Sequence, residues 1–171
     1  MALNEEYVIR NIKDTQPKSA QALLDDCMLP VKYIGGGCFR DGYQILGTSL
    51  LVKIPRLKSD NTVNNGNVLH AVNEWDAFQR ISKSKGKRLQ ALKPHLPEFL
   101  HHDPETGVTV VRKYRKRPAY NAELESWMEN MRRTIRRSFK VMSTDLHDGN
   151  LRIDKEGTLR FIDLGMFAHS L

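Results

Sequence analysis

Asp145-Leu146-His147-Asp148-Gly149-Asn150, followed downstream by Asp163-Leu164-Gly165, sets the oxygen-bearing side chains of Asp145, Asn150 and Asp163 at intervals that suit phosphoryl transfer. Between the clusters, Leu151-Arg152-Ile153 reads as a short strand, Asp154-Lys155-Glu156-Gly157 as a turn, and residues 158–162 as the returning strand. With Glu156 and Gly157 at the tip, antiparallel register sets Asn150 opposite Asp163, their Cβ atoms about 5 Å apart. An aspartate and an asparagine side by side suit Mg2+, which takes oxygen ligands from one or two side chains and completes its shell with phosphates and water. Asp145, one turn upstream, is placed to accept or orient the proton of an incoming hydroxyl. Asp, Asn and Gly are also the commonest turn formers, so the hairpin by itself does not separate chemistry from ordinary turn geometry.

Other segments must position these groups. Gly35, Gly36 and Gly37 lie between Tyr33-Ile34 and Cys38-Phe39, a turn able to bring backbone N–H groups close to phosphate oxygens. Ser49-Leu50-Leu51-Val52-Lys53-Ile54 is an apolar strand interrupted by one lysine and ended by Pro55. Residues 68–82 have helical periodicity, and Ala71, Phe78 and Ile81 put Glu74 on the inward stripe. A carboxylate there costs several kcal/mol unless compensated, and pairing with Lys53 accounts for both misplaced charges.

In this order the segments resemble the protein-kinase-like superfamily, whose catalytic loop Asp-x-x-x-x-Asn is followed, after a hairpin, by Asp-Phe-Gly or a close variant. The resemblance runs from about Tyr33 to Phe167, and the chain is similar to the compact kinase-like proteins of bacteriophages and some bacterial effectors. It implies an α+β, two-lobed kinase fold with an antiparallel N-lobe sheet and its helix. ATP and Mg2+ are implied as cosubstrate and cofactor. Asp145 would orient the nucleophile, Asn150 and Asp163 would hold the metal, Lys53 would bind the α and β phosphates with Glu74 fixing it, and Gly35, Gly36 and Gly37 would cover them. All are expected around one magnesium-bound triphosphate. Residues 113–118 stand where the kinase hinge meets adenine.

The chain departs from the family at Arg40, in place of the third loop glycine, and at Gly42, in place of the following valine. It departs again at Leu51, where alanine usually roofs adenine, at Ser143, for the histidine before the catalytic Asp, and at Leu164, for the metal-loop Phe. It ends at Leu171, so the resemblance implies a truncated C-lobe without activation segment or substrate-binding helices. The expected function is therefore a minimal Ser/Thr protein kinase acting on a protein substrate, with a partner supplying the missing docking surface. The alternatives are a nucleotide-binding pseudokinase or partner-binding module, a small-molecule phosphotransferase, and transfer of AMP.

Length and composition suit one domain over 1–171, with an N-lobe and its extension over 1–115 and a reduced C-lobe over 116–171; 40% apolar residues in 171 can form a core. Residues 1–18 read as irregular. A short helix over 19–28, strands at 98–100 and 108–114, and a helix over 121–138 with Leu124, Trp127, Met128, Met131 and Ile135 on one face complete the elements. That last face is expected to pack beneath the catalytic hairpin. His101-His102 reads as a solvated turn without chemistry. Cys27 and Cys38 lack the spacing of a zinc site, and neither a signal peptide nor a long apolar run stands out, so a cytoplasmic location, the host's for a phage or effector protein, with no membrane partner is expected. Net charge is +7, gathered at Arg112-Lys113, Arg115-Lys116-Arg117 and Arg132-Arg133 with Arg136-Arg137. Nucleic acid is a competing but disfavoured partner, since few aromatics interleave these clusters.

Overall fold

The computed structural model describes residues 3–114, 116–141 and 144–164. Arg115, Ser143, Gly165 and Phe167, all named above, lie outside the described residues. The chain divides into two compact units: residues 1–72 with 98–113, and residues 73–97 with 114–171. The structure is α+β, with a five-stranded antiparallel sheet in the first unit and a two-stranded hairpin in the second.

In the first unit, β1 (Val31–Gly36), β2 (Arg40–Ile45), β3 (Leu50–Pro55), β4 (Phe99–His102) and β5 (Thr109–Arg112) take the order β1-β2-β3-β5-β4. Side chains alternate across a strand, and β3 shows it: Leu50, Val52 and Ile54 are buried in the core, which sends Leu51 and Lys53 to the other face. Two helices close the core side, α1 (Glu5–Thr15) through Val8 and Ile12, and α2 (Ala20–Asp25) through Leu23. The sequence reading missed α1. Asn4 caps it by accepting the N–H groups of Glu6 and Tyr7, and two acids occupy its first turn, where the helix dipole favours them. Glu5 then ties the helix to the sheet, accepting hydrogen bonds from Ser49 and pairing with Arg112 of β5. Burial pushes the Glu5 carboxyl up, but these bonds outweigh it and hold it below its usual range.

The helix α3 (Asn65–Lys83) carries Glu74 and contains the predicted span 68–82. The second unit continues through the single turn α4 (Lys87–Gln90) and a 3-10 turn (Lys93–His95) to α5 (Ala122–Phe139). Asn121 caps α5 by accepting the Leu124 N–H, and Leu124, Met128 and Ile135 of the expected stripe are buried. The hairpin of β6 (Leu151–Ile153) and β7 (Leu159–Phe161) seats Phe161 beside Trp127 of α5 and His95, at ring-centroid distances of 6.1 and 5.9 Å. The expected packing of α5 under the hairpin is therefore present.

The hairpin register differs from expectation by one residue. Leu151 faces Phe161, and the Ile162 N–H bonds the Asn150 carbonyl at 3.0 Å, so Asn150 stands opposite Ile162 rather than Asp163. The reason is the turn: Gly157 adopts φ +85°, and Asp154 gathers the N–H groups of Glu156 and Thr158, which makes a three-residue loop in place of a two-residue tip. His101 and His102 also differ from expectation. Both are half-buried members of β4, and His102 Nδ1 lies 3.3 Å from Thr109 Oγ1. No described helix is long and apolar enough to cross a membrane.

Each unit contains a histidine whose pKa burial lowers. His95 donates Nδ1–H to the Leu159 carbonyl at 2.8 Å; burial lowers its pKa, Arg160 lowers it further, and that bond offsets part of the shift. Burial and then Lys13 lower the pKa of His101 against a smaller pull from Asp103. Between a depressed folded pKa and an unfolded value of about 6.5, the unfolded chain binds more protons, so stability is full above that window and is lost as pH falls through it. The melting temperature should drop between pH 7.5 and 5.5, and His95→Asn together with His101→Asn should flatten the drop. An unchanged slope in the double variant would assign the acid sensitivity elsewhere.

Candidate active site

The Gly-rich turn joins β1 and β2 in the first unit. Gly37 N–H closes it on the Arg40 carbonyl at 2.9 Å, so this amide is engaged within the loop. Gly36 leaves room for an ion pair: a Cβ there would stand 2.1 Å from Asp41 Oδ1 and 2.7 Å from Arg56 Nη2. Arg56 meets Asp41 Oδ1 through Nη2 at 2.8 Å and Nε at 2.9 Å, fixing strand end to strand end. Gly35, at φ +145°, holds a backbone angle that other residues rarely adopt. Cys38 is exposed, and the Phe39 ring stacks on His70 at 4.2 Å. Lys53 is half-buried in β3, opposite Gly42 on β2 and Thr109 on β5.

The second unit contains Glu74, Asp145, Asn150 and Asp163. Asn150 Nδ2 donates to the Asp145 carbonyl at 2.9 Å, and because a carbonyl only accepts, the amide orientation is fixed and Oδ1 remains for another partner. The loop between them is a 3-10 turn over Asp148–Asn150 capped by His147, whose Nδ1 accepts the Gly149 N–H at 3.0 Å. A Cβ on Gly149 would stand 2.5 Å from the His147 ring, so the cap requires glycine. Leu146 is buried, its carbonyl accepts Arg132 Nε–H at 3.0 Å, and Arg132 is anchored to Glu125 at 2.7 Å. Helix α5 therefore holds the loop from below while the Asp145 carboxylate stays exposed.

Asp163 is bracketed by two backbone hydrogen bonds. On one side the Ile162 N–H reaches the Asn150 carbonyl; on the other the Leu164 N–H reaches Glu74 Oε1 at 3.0 Å. Glu74 and Leu164 are both fully buried. Three of the residues singled out from sequence, Glu74, Asn150 and Asp163, are thus linked within one unit, and Asp145 is linked to them through Asn150. Lys53, Gly35, Gly36 and Gly37 belong to the other unit.

Asn150 Oδ1 and the Asp163 carboxylate are hard oxygen donors and fit Mg2+, which needs only one or two protein groups when phosphates supply the rest. Among the described residues no group of three or more His, Cys, Asp or Glu could hold an ion alone.

Most arginines of the basic clusters are committed to carboxylates. Arg112 pairs with Glu5 and Glu98, Arg132 with Glu125 and Glu129, and Arg133 and Arg136 with Glu129. Such pairing leaves less field for a polyanion than the sequence count suggests. Residues that sequence reasoning did not single out are Arg132 and Glu125, which hold the loop, and His147, which caps it. The signal for His147 was the glycine two positions on.

Glu74→Ala should leave the buried Leu164 N–H without its acceptor, costing about 1–3 kcal/mol. Amide exchange at Leu164 should accelerate, and unchanged protection there would remove the bond from the account. Gly149→Ala should displace His147 and lower the melting temperature by several degrees, read by calorimetry.

No known family model matches the chain, and no curated protein matches it.

Proposed function

We propose that this chain is an ATP- and Mg2+-dependent phosphotransferase of protein-kinase-like, two-lobed fold, transferring the γ-phosphoryl group to a Ser or Thr hydroxyl of a protein, in a cytoplasmic setting. The observation that carries the reading is the bracket around Asp163. Buried Glu74 holds the residue after it and Asn150 holds the residue before it, and Asn150 also binds the backbone of Asp145. A segment that merely follows a strand has no need to fix the backbone on both sides of one aspartate, to a buried helix glutamate and to the residue that carries a second oxygen donor.

In this reading Asp145, exposed on a loop fixed from below, receives and orients the acceptor hydroxyl. Asn150 Oδ1 and Asp163 hold the magnesium ion, which neutralises charge on the phosphates. Lys53 binds phosphate oxygens, and the turn at Gly35, Gly36 and Gly37 covers them. Since phosphoryl transfer asks little covalent chemistry of the protein, positioning and charge neutralisation supply the rate.

Purified protein incubated with γ-labelled or α-labelled ATP in an extract tests this reading. Label should pass to protein from the γ position alone, fall at least about a hundredfold in Asp163→Ala, and fall comparably in Asp145→Asn. Transfer from the α position would make the reaction nucleotidyl transfer. Nucleotide that raises the melting temperature without any transfer would make the chain a pseudokinase.

A further inference from the structure

Two arginines meet beside the loop over residues 145–150. The isolated bridge between Lys116 and Ile153, with the Ile153 N–H donating to the Lys116 carbonyl at 2.7 Å, sets Arg117 across from Arg152 in antiparallel register. Both guanidinium groups converge on Gly149 of the catalytic loop. Arg152 Nη1 donates to the Gly149 carbonyl at 3.0 Å and to the Leu151 carbonyl at 2.6 Å, and Arg117 Nη2 lies 3.5 Å from where a Gly149 Cβ would stand. Neither forms an ion pair with a carboxylate among the described residues, whereas Arg56, Arg112, Arg132, Arg133, Arg136 and Arg160 all do. Arg117 is exposed and Arg152 half-buried. Asp148, on the same turn as Gly149, attracts Arg152 without forming an ion pair with it.

Two like charges held together without an ion-paired carboxylate disfavour each other, and an oxyanion between them removes that penalty through charge-assisted hydrogen bonds. Carbonyl bonds fix Arg152 through Nη1, which leaves its other donors and the whole Arg117 fork for such a guest. We propose that Arg117 and Arg152 form an anion subsite for the acceptor, binding a carboxylate or phosphate group carried by the protein substrate near the hydroxyl that Asp145 receives. This substrate class, acidic or already phosphorylated peptide, rests on the phosphotransferase reading above. The position beside Gly149, between Asp145 and Asn150, favours the acceptor over a remote partner.

The test uses the full chain without nucleotide and three fluorescent peptides of one sequence, carrying Ala, Asp or phosphoserine beside the acceptor serine. By anisotropy, the phosphoserine peptide should bind at least about tenfold tighter than the Ala peptide, with Asp between, and the preference should shrink as salt screens it. Arg117→Ala should remove most of the preference while thermal melting stays unchanged, because the side chain is exposed. Arg152→Lys, which keeps the charge but loses the fork, should weaken phosphoserine binding more than Asp binding. Equal binding of the three peptides overturns the proposal. So does a preference that survives both Arg117→Ala and Arg117→Glu, or competition in which ATP displaces the phosphopeptide. A single-stranded RNA that binds more tightly than the phosphopeptide, and loses that affinity in Arg117→Ala, would give the pair to nucleic acid and overturn it as well. No transfer is measured here, so an inactive protein that still prefers phosphoserine would refute the phosphotransferase reading and not the subsite.

Discussion

A carboxylate taken out of water has to find hydrogen-bond donors, and Glu74, fully buried on α3, finds one in the backbone of Leu164. Much of the second unit's organisation follows from that requirement. Because the donor is a main-chain N–H directly after Asp163, satisfying the glutamate also sets the path of the chain through that aspartate. The hairpin fixes the other side, since the Ile162 N–H belongs to the β6–β7 ladder extended to Asn150. Phe161, packed among His95 and Trp127, supplies the apolar anchor that holds this ladder against α5. Polar constraint and hydrophobic packing thus act on consecutive residues, 161 to 164, and leave little freedom for the one between.

Most elements could be read from the chain because each has a strong period. The alternation in β3 and the apolar stripe of α5 are of this kind, and both were placed to within a residue or two. Helix α1 was not visible, since only Val8 and Ile12 of its eleven residues are buried and its remaining positions, Tyr7 and Ile9 apart, are charged or polar. The cap at Asn4 was the available signal. The hairpin register failed for a different reason: choosing between a two- and a three-residue loop depends on whether Gly157 is left-handed, and the residue types allow either.

For the site, side-chain identities were legible and backbone partners were not. Asp145, Asn150, Asp163 and Glu74 stand out by type and spacing, whereas the Leu164 N–H is a donor that every residue but proline possesses. The arginines teach the same lesson about charge. Counting Lys and Arg predicts a basic surface, but the ion pairs of Arg112, Arg132 and Arg136 bring carboxylates from distant or neighbouring turns to meet them. Arg117 and Arg152 stand apart only once the bridge between Lys116 and Ile153 is known, and nothing local in either segment announces it.

The crowding at Gly36 has a consequence for how this chain can diverge. The volume that a methyl group would need is filled by Asp41 and Arg56, so the end of β1, the start of β2 and the residue after β3 share one steric allotment. A larger residue at 36 must push aside the ends of both charged side chains and so break their ion pair, and loss of both would open the glycine to replacement. Descendants of this sequence should therefore keep the trio together or surrender it together, a correlation that spacing along the chain would never suggest.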